Sequence, residues 1–443
     1  MTDPRSVDLI VYPHWLVPVE PEGLVLEDHA LVVDGGEIVE LLPADFARQR
    51  YRARQTLERS GHALLPGLVN AHTHAAMSLL RGLADDRALM DWLTHHIWPA
   101  EAAHLSREFC RDGVLLACAE LIRGGVTCFN DMYFFPETTA AVVREVGLRA
   151  AIGLIVLEFP TTYAQNADEY LHKGQALHDE LRGEPRLRPA FAPHAPYTVG
   201  DAALSRLRVY ASELAVPIHM HLHETAHEVE QAQAETGERP WARLRRLELL
   251  GPEFIAVHMT QLTEQEIVET AELGVNIVHC PESNMKLASG FCPAAKLLAA
   301  GANLAIGTDG AASNNDLDVL GETRSAALLA KAVAGDAAAL PAARALTAAT
   351  LGGARALGWN ERIGSLRPGK AADFITVDLS APETQPLYDV ISQLVYACGR
   401  QQVRDVFVDG RPLLHERRLL SLDLDATLAA AQRWRARIAA AAG

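Results

Sequence analysis

Six cysteines (Cys110, Cys118, Cys128, Cys280, Cys292 and Cys398) are scattered along the chain, and none stands in a Cys-x-x-Cys pair. That excludes a disulfide framework and a thiolate zinc site. A reducing, cytoplasmic setting is expected, and Cys280 reads as a small buried apolar residue rather than a nucleophile. No block of five or more like charges occurs, and the formal net charge is −16. Nucleic acid and anionic membrane surfaces are therefore not expected partners. No apolar run reaches the ~20 residues that span a bilayer. Met1 to Arg5 lack a basic region followed by an apolar stretch, so no signal peptide is expected. With 49% hydrophobic and 22% charged residues, wholesale disorder is excluded too. At 443 residues the chain exceeds one ordinary core, and two domains or one large barrel with an appendage are expected.

What is present is a rich set of histidines at the ends of apolar runs. Residues 64–74 read Leu-Leu-Pro-Gly-Leu-Val-Asn-Ala-His-Thr-His. His72 and His74 are spaced i and i+2, so on an extended strand both imidazoles face one side and can grip one metal ion. Taken alone, the pair reads equally well as one loop residue and one core residue; further ligands elsewhere must decide.

Both ends of the chain read as β-rich. Strands are expected at 7–12, 30–33 and 37–42, with Asp34-Gly35-Gly36 as a hairpin turn, and again at 372–377 and 403–408, with a turn at Asp409-Gly410. The middle alternates apolar runs with helical stretches. Its strand candidates are 64–69, 126–130, 149–156, 188–192, 217–221, 254–258, 275–279 and 303–307. Eight buried strand–helix units imply a closed parallel (β/α)8 TIM-like barrel, with the reactive residues at the C-terminal strand ends. Polar residues fall there repeatedly: His72 and His74, Asn130-Asp131, His194, His219-Met220-His221-Leu222-His223-Glu224, His258, His279 and Asp309. The expected layout is an α/β protein: 1–63 and 368–423 as two halves of a small β-sandwich domain, 64–367 as the catalytic barrel, and 424–443 as an alanine-rich C-terminal helix for packing or subunit contact.

These segments resemble the metal-dependent amidohydrolase superfamily, in its deaminase and chlorohydrolase branch. The matching stretches are 66–74, His221-Leu222-His223-Glu224, His258, His279-Cys280-Pro281-Glu282-Ser283-Asn284 and Gly307-Thr308-Asp309-Gly310. Within that branch, Arg81-Gly82, Trp98-Pro99-Ala100-Glu101, 193–198 and 286–290 are most similar to the bacterial 5′-methylthioadenosine/S-adenosylhomocysteine deaminases.

The resemblance implies a site built from His72, His74, His221 and Asp309 around one Zn2+ ion. Iron(II) or manganese(II) also suits such nitrogen and oxygen donors. His221, rather than His219 or His223 of the same strand parity, follows from the family's His-x-x-Glu arrangement; the other two read as structural. The resemblance further implies Glu224 as the proton donor, Asp309 as acceptor of the attacking water's proton, and His258 as the group that orients the attacking oxygen and stabilises charge on the tetrahedral intermediate. Glu101 would accept from both ribose hydroxyls, His194 would reach the purine or sugar edge, and Trp98 would wall the pocket. His279 would touch the ligand or buttress the metal shell.

The implied reaction is hydrolytic deamination of an adenine nucleoside (5′-methylthioadenosine, S-adenosylhomocysteine or adenosine) in a cytoplasmic homo-oligomer, dimer or tetramer. The alternative within the branch is another aromatic deamination or an s-triazine chlorohydrolase. One departure stands out. Some relatives carry arginines after the third strand that meet a charged tail, whereas residues 155–166 here contain none. A less charged 5′ group fits better, unless a partner subunit supplies a cation.

Overall fold

Gly67 is the hinge between two sheets in this computed structural model, which describes residues 3–441. A Cβ at Gly67 would fall 2.1 Å from the Thr127 side chain, so only glycine lets the chain pass there. The run expected as one strand over 64–69 is thereby divided. Leu64, Leu65 and Pro66 end the long strand Tyr51–Pro66 and pair with Thr376, Ile375 and Phe374 of the terminal sheet. Past the glycine, Leu68–Thr73 (β1) opens the barrel.

The remaining barrel strands are Val126–Asp131 (β2), Arg149–Val156 (β3), Leu187–Pro193 (β4), Ile218–Leu222 (β5), Phe254–His258 (β6), Asn276–His279 (β7) and Asn303–Ile306 (β8). They pair in parallel in sequence order. β-branched and aliphatic residues dominate them because both faces are covered, inside by the barrel core and outside by helices. A side chain helps to close β1 against the segment after β8. Asn70 accepts the Thr308 N–H at 3.0 Å and donates to Thr308 Oγ1 at 2.7 Å. The N–H of Asp309 then donates to the carbonyl of His72 at 3.1 Å, which fixes two expected metal ligands against each other.

Strands from both termini form one nine-stranded mixed sheet, in which Phe374 and Phe407 stack at 4.5 Å over a core that includes Leu9, Leu31 and Leu64. Arg149, at the start of β3 and therefore at the barrel's N-terminal face, ties this sheet down. It donates to both oxygens of Asp373 at 3.0 and 3.2 Å and to Asp409 at 2.8 Å, with its guanidinium over Trp359. The helix Leu424–Ala441 packs on the helix Arg107–Arg123 of the same chain, where Trp434 meets Phe109 and donates to Asp112 at 2.8 Å. The last two residues of the expected C-terminal helix, and Met1 and Thr2, lie outside the described residues. Among the described residues no helix is long and apolar enough to cross a membrane.

Candidate metal centre and the cavity above it

Strand ends carry His72 (in β1), His74 (just after it) and His221 (in β5), and the chain turns through a left-handed residue, Asp309 (φ +61°), shortly after β8. One ligand atom from each of these four side chains lies within 4.8 Å of all the others. Nε2 of His221 is 3.2 Å from Nε2 of His72 and 3.3 Å from Nε2 of His74. Oδ1 of Asp309 is 3.3 Å from Nε2 of His72 and 3.2 Å from Nε2 of His74. Donors at ~2.0–2.1 Å from a tetrahedral zinc stand about 3.3–3.4 Å apart, so these edges fit the ion.

The tautomers fit as well. Nδ1 of His74 donates to Met132 O at 2.5 Å, and Nδ1 of His221 donates to His194 O at 2.7 Å, which turns both Nε2 lone pairs inward. Nδ1 of His72 meets Nε2 of His219 at 2.9 Å. Burial pushes His72 down to about 4 and His221 well below its ordinary value, so both are neutral, the form that binds metal, whereas at His74 burial is outweighed by the Asp309 carboxylate, which raises it. For Asp309, burial is outweighed by His72 and His74, which hold its carboxyl well below the usual range. Its other oxygen accepts from Ser283 Oγ at 2.7 Å and Ser313 Oγ at 3.0 Å.

Glu224 follows β5 and faces the same space, its Oε2 3.8 Å from Nε2 of His258. Burial, reinforced by the charge of Asp309, pushes Glu224 up to about 8. His258, at the end of β6, donates from Nδ1 to Asn284 Oδ1 at 2.8 Å, leaving the Nε2 lone pair toward the cavity. With burial also lowering its pKa, that ring is a hydrogen-bond acceptor. The arrangement suits it to orient a donor; the other half of the expectation, charge stabilisation, would need it protonated.

Above these groups lies a cavity of about 560 Å³ into which His74, His221, Glu224, His258 and Asp309 all open. Glu101, in the first turn of the helix Trp98–His104, lines it, as do Trp98 and His194. Tyr133 donates to Glu101 Oε1 at 2.7 Å. Burial pushes the Glu101 carboxyl up to about 7, against the Tyr133 hydrogen bond. His194 is neutral, its pKa driven down to about 3 by burial, with Nδ1 3.2 Å from Thr198 Oγ1.

Of the two roles expected for His279, ligand contact is corrected, because the residue is fully buried and does not line the cavity. β7 ends at His279, and its carbonyl is closed over by the N–H of Gly307 at 3.0 Å. The segment's contribution comes instead from Ser283 and Asn284 on the helix Pro281–Lys286, which reach Asp309 and His258. His219, expected to be structural, backs the His72 ring directly; three alternate histidines on one strand were the signal for it. His223 is structural: its Nε2 accepts the N–H of Trp241 at 3.1 Å. Tyr133 carried no sequence signal, since 32 residues separate it from Glu101, and Ser313, although only four residues after Asp309, stands in a turn that no strand or helix periodicity marks. All six cysteines are buried and free, Cys280 among them.

A parallel eight-stranded barrel with three imidazoles and a carboxylate at its strand ends, and a buried acid beside them, defines a metal-dependent hydrolase architecture. The chain belongs to the amidohydrolase family, which matches residues 63–413. It is 45% identical over 440 residues to the 5-methylthioadenosine/S-adenosylhomocysteine deaminase of Teredinibacter turnerae, covering 99% of this chain and 100% of that one. The deaminase of the same name from Saccharophagus degradans is also 45% identical, with 99% of each chain covered. Among solved structures, an adenosine deaminase from Xanthomonas campestris with bound zinc superposes with a TM-score of 0.98 at 56% identity, over 99% of this chain and 100% of that one. An atrazine chlorohydrolase from Arthrobacter aurescens gives 0.89 at 22% identity over 96% and 99%, which shows a shared fold.

Proposed function

We propose that this chain is a zinc-dependent deaminase of adenine nucleosides that prefers an uncharged 5′ group, 5′-methylthioadenosine above all. The observation that carries the reading is one apolar cavity that opens onto the four-residue donor set through His74, His221 and Asp309, beside a buried acid at Glu224 and a second carboxylate at Glu101. Zinc held by those four donors would polarise a water and lower its pKa toward ~7.

Glu224, protonated at neutral pH while buried, donates to the ring nitrogen beside the amino-bearing carbon as water attacks. His258 accepts a hydrogen bond from the attacking oxygen through Nε2, and Asp309 receives its proton. Glu224 or Asp309 then passes a proton to the departing ammonia. Glu101 accepts from both ribose hydroxyls, and neutral His194 lies against the purine or sugar edge. The alternative reading for Trp98, a mere core residue, is disfavoured by its half-buried ring in the cavity wall, 6.0 Å from Phe159.

The preference at the 5′ end rests on the wall that includes Ile155, Leu157, Phe159 and Trp98. No lysine or arginine lines the cavity among the described residues. A homocysteine tail would leave an ammonium and a carboxylate without ionic partners, at a cost of several kcal/mol if desolvated. A methylthio group meets only apolar surface, each CH₂-sized unit contributing about 0.8 kcal/mol. The proposal includes a cytoplasmic homo-oligomer, dimer or tetramer, whose mass light scattering would read, and the division 1–63, 64–367, 368–423 and 424–443. Six free buried cysteines fit a reducing compartment.

The test is ammonia release over a panel of methylthioadenosine, S-adenosylhomocysteine, adenosine, guanine, cytosine and atrazine. Methylthioadenosine should turn over with the highest kcat/KM. Turnover of only the free bases or the triazine would eliminate the nucleoside reading. Glu224→Gln should lower kcat by at least about a thousandfold with zinc content intact.

A further inference from the structure

Glu228 is buried yet touches no substrate-facing surface of the main cavity. It is the third residue of the helix Ala226–Thr236, whose N-cap Thr225 accepts the Glu228 N–H at 3.1 Å. In a capping box the glutamate at this position would reach back to the N-cap's own N–H. Here it reaches further. Oε1 accepts the N–H of His223 at 3.1 Å and Oε2 the N–H of Glu224 at 2.7 Å. Both oxygens are therefore committed to the two peptides that carry the proposed proton donor.

Those peptides need holding. His223 sits at φ +51°, a left-handed conformation that costs a non-glycine residue roughly 1–2 kcal/mol. The kink turns the chain so that Glu224 points back over the barrel mouth. Carbonyls on the same stretch are held from the opposite side by Thr260: its N–H donates to His223 O at 2.9 Å and its Oγ1 to Glu224 O at 2.7 Å. Thr260 follows two more left-handed residues, His258 (φ +76°) and Met259 (φ +50°). Glu224 and His258 are thus carried by strained strand ends that are pinned to each other, with Glu228 supplying the acceptor side of the clamp.

We propose that Glu228 is a positioning residue that acts through the His223–Glu224 backbone to fix the Glu224 carboxyl over the reacting atoms. This rests on the role assigned to Glu224 above. Only a carboxylate can receive both N–H groups; glutamine offers one oxygen and turns an NH₂ toward the other donor. A misplacement of about 1 Å at the acid lowers turnover without moving the groups that bind nucleoside or metal.

The experiment compares zinc-loaded full-length wild type and variants on whichever panel substrate turns over best. Glu228→Gln should lower kcat by about thirtyfold or more, with KM within about threefold and zinc per chain unchanged. In a Glu224→Gln background the same change should lower the residual kcat by less than about threefold, because the clamp then has nothing to position. Exposed Glu230→Gln on the same helix should match wild type. Wild-type kcat in Glu228→Gln, or an equal loss in both backgrounds, overturns the proposal. Should Glu228→Gln fail to fold, Thr260→Val decides: it should lower kcat about tenfold at constant KM, and no loss overturns the clamp. A wild type active on no adenine nucleoside sinks the functional reading instead, and a wild type active on one with unimpaired Glu228→Gln sinks only the clamp.

Discussion

Glu101→Ala is the sharpest probe of the substrate assignment, because a carboxylate that accepts from a vicinal diol has no reason to matter to a substrate without one. Tyr133 occupies one acceptor position on Glu101 at 2.7 Å, which leaves lone pairs on both oxygens for two ribose hydroxyls. Hydrogen bonds to a charged group contribute about 1.5–3 kcal/mol each. Water entering the space left by alanine recovers part of this, so a net loss of about 2–4 kcal/mol is expected, or about 30- to 1,000-fold in kcat/KM. The contact exists in the ground state and the transition state alike, so the loss should appear in KM with kcat little changed.

A pH signature accompanies it. The Glu101 carboxyl is pushed up to about 7 by burial, so the ionised, doubly accepting form is lost as pH falls through that value. For ribosides, wild-type KM should rise about tenfold per pH unit below it, while Glu101→Gln should lack that limb. The assay is the ultraviolet change from adenine to hypoxanthine, with 2′,3′-dideoxyadenosine alongside adenosine. Equal loss of kcat/KM on both substrates in Glu101→Ala would refute the diol contact.

Two further outcomes follow from contacts away from the substrate. His219→Ala removes the group 2.9 Å from Nδ1 of His72 and should weaken zinc binding about 10- to 100-fold, read by competition with a chelator; unchanged affinity would show that His219 merely fills space. Arg149→Met strands Asp373 in a buried site between barrel and terminal sheet, at a cost of about 3–5 kcal/mol and a fall in Tm of roughly 3–5 °C by calorimetry. A Tm within about one degree of wild type would mean that the pair holds nothing together.

The sequence by itself determined the barrel and the metal ligands, because both are written in local patterns. Apolar runs at regular intervals specify buried parallel strands, and the residues that end each run must emerge at one rim of the closed barrel. His72, His74, His221 and Asp309 were therefore assignable before any distance was known, once their setting resembled a known family. Tertiary structure decided what those ligands lean on. His219 behind His72, Ser283 on Asp309, Tyr133 on Glu101 and Asn284 on His258 are contacts between residues 26 to 147 apart in sequence, and no periodicity encodes them. The same applies to the break at Gly67, which the close approach of Thr127 imposes, and to His279, which strand parity allows toward the site but packing encloses. Glu228 shows the limit most plainly. Its spacing reads as an ordinary capping residue, and only the left-handed turn at His223 converts it into a support for Glu224.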